Sequence, residues 1–238
     1  MPVFELSERL GFPPPYLAGP EGLLAIGGDL SLPRLLLAYK KGIFPWYSEY
    51  DPIIWWSPDP RLVIFPQGLK VSKSLKKILH QRRFQITLDR AFEQVIRECA
   101  NLRIESGQGT WLVEEMIEAY ILLHHAGYAH SAEAWQDGKL AGGLYGVSLG
   151  AAFFGESMFA RVSNASKAAF VTLVRRLEAW GFDLIDCQVR TEHLVRLGAV
   201  EIPRREFLKR LEKSLDVPTR RGNWHLDGLV EAAVKSAS

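Results

Sequence analysis

Two hydrophobic periods alternate along this chain, and the places where one gives way to the other mark its elements. The early apolar runs are short. Leu32 to Lys41 carries a helical spacing that stops at Gly42, while Ile53 to Trp56 and Leu62 to Phe65 predict short strands on either side of the turn-forming Ser-Pro-Asp-Pro-Arg. Next, Val71, Leu75, Ile78 and Leu79 share one face of a predicted helix that Ser72 or Ser74 can cap, with Lys73, Lys76 and Lys77 on another face. Phe84 to Leu88 predicts a strand, Ala91 to Ala100 a helix, and Leu112 to Ala126 a longer helix ending at Gly127.

From there the period is two. Residues Ala129 to Gln136, Lys139 to Val147 and Ala151 to Phe159 predict three consecutive strands, the first two joined at Asp137-Gly138 and the next two at Ser148-Leu149-Gly150. A helix follows, with Asn164 at its N-cap, an apolar stripe of Ala169, Phe170, Leu173, Val174 and Leu177, and Gly181 at its end. Leu184 to Val189 then predicts one more strand. A crossover of this length runs right-handed and sets the new strand parallel to Ala151–Phe159, so residues from both strand ends converge at one edge of the sheet. The fold class is α/β, of the mixed α+β kind.

Composition narrows the organisation. Of 13 prolines, 11 precede residue 67, where fixed φ values and missing donors favour loops and short elements. This predicts a small N-terminal α/β domain over residues 1–62 and a larger domain over 63–238. With 47% hydrophobic and 24% charged residues among 238, the chain can bury a sizeable core, and disorder is excluded. No apolar run approaches the roughly 18 residues of a membrane span. The leading MPVFELSERL has no basic-then-apolar signal pattern, and the two cysteines, Cys99 and Cys187, fit a reducing compartment, so a cytoplasmic location is expected.

The net charge of +2 hides a local imbalance. Between Lys70 and Arg83 stand Lys70, Lys73, Lys76, Lys77, Arg82 and Arg83 without one acid. A helix of this kind can be a solvated face, a membrane or partner contact, or a phosphate binder, and the absence of acids favours phosphate. Phe44, Trp46, Tyr47, Trp55, Trp56 and Trp111 supply flat faces that either stack a nucleobase or fill a core between domains. Trp46 and Trp111, each flanked by Pro or Gly, are read as exposed platforms.

Candidate chemistry lies on the last predicted strand. Alternation puts Asp186 and Gln188 on one face and Ile185, Cys187 and Val189 on the other. A buried unpartnered carboxylate costs several kcal/mol, so Asp186 is either paired within the protein or held for chemistry, and the sequence leaves both open. Glu156, in Gly-Glu-Ser-Met-Phe on the neighbouring parallel strand, adds a second carboxylate to the same pocket. Cys187 with His193 as its base would make a thiol nucleophile, but Cys187 is predicted to face away from Asp186 and Gln188, which favours a buried thiol. His124, His125 and His130 lack metal-ligand spacing, and neither GxGxxG nor a Walker loop is present, so no metal and no cofactor are expected. Gly142-Gly143, inside a strand, marks a bulge or a close backbone approach.

The segments GLLAIGGDLS, GIFPWYS, WWSPDPR, GTW, AHSAEAW, GGLYGV, GESMF, NASK, LIDCQV and LGAVEIPRREF, in that order over most of the chain, closely resemble the bacterial leucyl/phenylalanyl-tRNA protein transferases. The resemblance implies a small N-terminal domain and a C-terminal domain of the GNAT, or acyl-CoA N-acyltransferase-like, kind. It implies transfer of Leu or Phe, and less readily Met, from charged tRNA to proteins beginning with Arg or Lys, marking them for N-end rule degradation. On this resemblance Trp46 and Trp111 hold the terminal adenosine of tRNA, and Glu156, Asp186 and Gln188 form the polar active-site group. Leu144, Met158, Leu173 and Leu177 would line the cup for the transferred side chain, and Lys73, Lys76, Lys77, Arg82 and Arg83 would bind tRNA. Asp186 is expected to orient or deprotonate the acceptor amine through or beside Gln188, while Glu156 and Gln188 fix the ester and the 3′-ribose. The enzyme is expected to act as a monomer, away from membranes. Two rivals remain: a GNAT-type acetyltransferase, which would need a pyrophosphate loop of the Q/RxxGxG/A type that does not follow the central strands, and a non-catalytic tRNA-binding module, which would leave Glu156, Asp186 and Gln188 idle.

Overall fold

The computed structural model describes residues 3–105 and 112–225. Its elements run β1 (Phe4–Leu6), β2 (Leu23–Gly27), α1 (Leu32–Lys40), β3 (Phe44–Pro45), β4 (Ile54–Trp56), β5 (Arg61–Ile64), α2 (Lys73–His80), β6 (Gln85–Leu88), α3 (Phe92–Glu105) and α4 (Glu114–His125). They continue with β7 (Ala129–Gln136), β8 (Lys139–Leu149), β9 (Ala152–Ala160), α5 (Ala165–Ala179), β10 (Leu184–Gln188), α6 (Glu192–Arg196), β11 (Val200–Ile202) and α7 (Arg204–Leu215). Among the described residues the strands form two sheets, in the orders β1-β2-β4-β3 and β11-β5-β10-β9-β8-β7-β6. The fold is mixed α/β.

β9 and β10 are parallel, with Leu184 opposite Ala152 and Asp186 opposite Phe154, as the crossover through α5 requires. β5 flanks β10 on the other side and runs antiparallel to it, so residues from early in the chain border the β-α-β unit. Alternation along β9 and β10 divides the core between the two faces of the large sheet. Phe154 and Leu184 join the cluster that includes α3, α4 and the small sheet, whereas Phe153 and Ile185 join the one beneath α2 and α5.

Sequence signals explain most element ends. Ser72 accepts the Leu75 N–H at 3.2 Å, capping α2, and Gly42, Gly127 and Gly181 take positive φ just past α1, α4 and α5. Gly142 gives α5 its close seat, since a Cβ there would stand 2.7 Å from the Ala165 Cβ and 2.9 Å from the Ser166 nitrogen. Two expectations change. α3 extends to Glu105, beyond the predicted Ala100, and Asn164 takes φ +69° without any side-chain cap to α5, so it turns the chain instead of capping the helix.

The segment after Val217 returns to the large sheet. Trp224 stacks on His130 with ring centroids 3.5 Å apart, and its backbone N–H donates to Asp89 Oδ2 at 2.7 Å. The same Asp89 oxygen lies 2.8 Å from His130 Nδ1.

Candidate functional site

The geometry of the site begins at a fault in β10. Asp186 pairs with Val63 of β5 and Gln188 with Leu62, so Cys187 is an extra residue on the β10 side. Gln188 takes φ +59°, and the Val189 N–H donates back to the Cys187 carbonyl at 2.8 Å. This bulge breaks the alternation on which the faces were predicted. Ile185, Cys187, Gln188 and Val189 therefore all line one cleft of about 460 Å³, together with Glu156.

Asp186 does not line that cleft. It is fully buried, its Oδ1 accepting Arg61 Nε at 2.8 Å and its Oδ2 accepting Arg61 Nη2 at 2.6 Å. The Arg61 guanidinium lies between the rings of Phe44 and Phe207, 4.8 and 4.6 Å from their centroids, and donates also to the Gly42 carbonyl. Asp186 Oδ1 then accepts the Gln188 backbone N–H at 2.9 Å. The carboxylate thus fixes the bulge that aims Gln188 into the cleft.

Glu156 is the carboxylate that reaches the cleft. Its Oε1 accepts Tyr39 Oη at 2.8 Å and Gln188 Nε2 at 3.1 Å, and its Oε2 accepts Tyr120 Oη at 3.1 Å, while the two tyrosine hydroxyls contact each other. Burial pushes its pKa up, outweighing the hydrogen bonds from Tyr39, Tyr120 and Gln188, and the nearby Asp186 charge adds to the rise, to about 7. Burial also raises the Cys187 thiol far above its ordinary value, with the Asp186 charge adding to it, which makes it a poor nucleophile.

The remaining predicted residues divide. Leu144 and Met158 line the cleft, joined by Phe170, Ile185 and Leu194, which the sequence reading did not place there. Leu173 and Leu177 do not: both are buried in the core between α5 and the sheet. At the mouth, Trp46 is 42% exposed although its backbone is pinned, its N–H donating to the Ile54 carbonyl at 2.9 Å and its carbonyl accepting Trp56 Nε1 at 2.7 Å. Tyr47 and Trp55 are core residues instead, and Phe44, also buried, lines the cleft. Trp111 lies outside the described residues. Lys73, Lys76 and Lys77 on α2 and the following Arg82 and Arg83 are exposed, with the Arg83 guanidinium 5.7 Å over the Phe84 ring.

Sequence reasoning missed Tyr39, Tyr120 and Arg61. Each had a faint signal, because a tyrosine at a core-facing helical position needs a partner for its hydroxyl and a buried acid needs a cation. Among the described residues no group of three His, Cys, Asp or Glu is placed to hold a metal, and no helix is long and apolar enough to cross a membrane.

A carboxylate raised by burial toward neutrality and hydrogen-bonded to an amide in the wall of an apolar cleft is suited to general acid–base work, the kind of site a group-transfer enzyme needs. Sequence comparison makes the class specific. The model of the leucyl/phenylalanyl-tRNA protein transferases matches residues 63–212, and that of their N-terminal domain matches residues 28–59. A leucyl/phenylalanyl-tRNA protein transferase of Desulforapulum autotrophicum is 60% identical over 228 residues, which cover 96% of this chain and 100% of that protein. One from Anaeromyxobacter sp. is 60% identical over 227 residues, covering 95% of this chain and 97% of that protein. The chain belongs to the leucyl/phenylalanyl-tRNA protein transferase family, whose members are aminoacyltransferases. Among solved structures, L-PGS from Bacillus licheniformis is similar at 12% identity and a TM-score of 0.37, covering 84% of this chain and 66% of that one.

Proposed function

We propose that this chain transfers Leu or Phe, and Met less readily, from the 3′ end of charged tRNA to the α-amino group of proteins that begin with Arg or Lys, marking them in the cytoplasm for N-end rule degradation. The observation that carries this reading is the contact of Gln188 with Glu156 in the wall of an apolar cleft that opens beside an exposed indole. The terminal adenosine stacks on Trp46. The ester-linked side chain enters among Leu144, Met158, Phe170, Ile185 and Leu194, where a flexible Met among branched and aromatic neighbours admits Leu or Phe and rejects polar groups. The exposed cations of α2 meet backbone phosphates of the tRNA.

The donor ester is already activated, so no ATP is consumed. The acceptor nitrogen forms a bond to the ester carbon, the bond from that carbon to the ribose oxygen breaks, and one proton passes from the amine to the ribose. Glu156 takes the amine proton, and its charge draws in a cationic N-terminus. Gln188 orients the reacting groups. Asp186 is a positioning residue that acts through Gln188, held in turn by Arg61. Alignment of two substrates in one cleft supplies much of the rate, worth roughly 7–11 kcal/mol in favourable cases.

The deciding assay incubates the protein with an Arg-starting peptide and either labelled Leu-tRNA or labelled acetyl-CoA. Transfer from Leu-tRNA alone supports the reading. Transfer from acetyl-CoA would make the chain a GNAT-type acetyltransferase, and tRNA binding without transfer would leave a non-catalytic module.

A further inference from the structure

We infer that Lys167, His193 and Arg196 form a subsite at the rim of the cleft that holds the phosphodiester on the 5′ side of the terminal adenosine. The inference rests on the reading of the cleft as an aminoacyl-tRNA site and adds how the acceptor strand approaches it.

His193 stands on α6, a few residues past the bulge that turns Gln188 inward, and it lines the same cleft as Glu156 and Gln188. Its Nε2 is buried and has no hydrogen-bond partner among the described residues. A buried ring nitrogen without a partner is costly in the free protein and becomes satisfied when a ligand completes it. Burial, together with the charges of Lys167 and Arg196, holds this imidazole below its ordinary pKa, which favours the neutral ring, and a neutral ring carries one N–H.

The surroundings select an anion. Lys167 lies one turn before the cleft-lining Phe170 on α5, and among the described residues its amine makes only a long 3.5 Å contact with the Asn164 side chain. Arg196 is exposed at the end of α6, and among the described residues no carboxylate pairs with it or with Lys167. The nearby acids are engaged elsewhere, since Arg190 donates to Glu192 at 3.1 Å and to Glu201 at 2.9 Å. An unpartnered imidazole nitrogen under the influence of two cations suits a phosphate, to which the ring can offer an N–H and the cations their charge.

Continuity selects which anion. The Lys70 N–H donates to the Leu197 carbonyl at 2.9 Å, which ties the start of the basic segment to the end of α6, and α2 packs against α5. The basic segment from Lys70 to Arg83 therefore adjoins the elements that carry Lys167, His193 and Arg196. A tRNA whose terminal adenosine stacks on Trp46 has its next phosphate one nucleotide away, and this basic face supplies the path for the strand behind it.

The test compares two small donors, phenylalanyl-adenosine with a free 5′-hydroxyl and the same compound carrying a 5′-methylphosphate, each with an Arg-starting peptide. Wild type is expected to favour the phosphate-bearing donor in kcat/KM by at least roughly tenfold, the effect of one charge-assisted contact. Lys167→Ala with Arg196→Ala should bring that ratio to about unity, and His193→Ala should lower it. His193→Gln, which keeps an N–H donor, should recover part of it. A wild type with no preference, or a preference that survives these substitutions, overturns the subsite. If wild type uses neither donor nor charged tRNA, the transferase reading itself fails, a result separate from the loss of the preference.

Discussion

Arg61 grips both carboxylate oxygens of Asp186, at 2.8 and 2.6 Å, across 125 residues of sequence and away from the cleft. Removing one partner of such a pair leaves an uncompensated buried charge, a loss of about 3–5 kcal/mol. Asp186→Asn and Arg61→Met should each lower the denaturant midpoint by that order. Arg61→Met combined with Asp186→Leu should recover much of the stability, yet transfer should stay low, because the Gln188 N–H still lacks its acceptor. Recovery of activity together with stability would remove Asp186 from the positioning of Gln188.

Glu156 gives the reaction a pH signature. Its pKa of about 7 means that the ionised base gains population as pH rises through neutrality, so kcat/KM should climb up to about pH 7 and level off above it. Tyr39 donates to this carboxylate and favours its charged form. Tyr39→Phe should therefore move the inflection upward by about one pH unit, given about 1.4 kcal/mol per unit. A pH–rate profile of the two proteins checks both statements.

How much of this was legible in the sequence follows from what each signal measures. Periodicity located β7, β8, β9, α5 and β10, because those elements bury one face or both against a sheet. It also put Asp186 and Gln188 on one face, which is where it failed. A one-residue bulge leaves no mark on composition, and it brought Cys187 and Gln188 into the same cleft while Asp186 stayed in the core. Arg61 was hidden by distance along the chain. Tyr39 and Tyr120 were hidden among the buried positions of α1 and α4, most of which are apolar, and no pairwise spacing announces that their hydroxyls meet one glutamate.

Leu173 and Leu177 show the opposite error. Both continue the apolar stripe of α5 that holds Phe170, but only Phe170 is level with the cleft, and the later turns pack on the sheet. A helical stripe tells which face is buried, not which of its residues a ligand meets.

Leu144 stands in the cleft wall opposite Met158 across β8 and β9. Leu144→Ala should enlarge the cup and shift donor choice toward the larger Phe. Complementarity of one or two methylenes is worth roughly 1–3 kcal/mol, so the Phe-to-Leu ratio of kcat/KM should rise about tenfold or more. An unchanged ratio would place the side chain elsewhere.

Trp224 should be a stability determinant remote from the acyl chemistry. It is buried and packs against His130, Trp180 and Phe182. Trp224→Ala should cost about 3–5 kcal/mol of unfolding free energy. Thermal or denaturant unfolding measures this, and a loss below about 1 kcal/mol would mean that the returning segment contributes little.

The central claim is that the carboxylate serving the transfer is Glu156, with Asp186 acting behind Gln188. The most direct measurement is single-turnover transfer of labelled Phe from Phe-tRNA to an Arg-starting peptide by Glu156→Gln, followed across neutral pH. The account predicts a loss of about a hundredfold or more in the transfer rate and disappearance of the inflection near pH 7, with charged-tRNA binding retained. A variant that keeps both the wild-type rate and the inflection would contradict it.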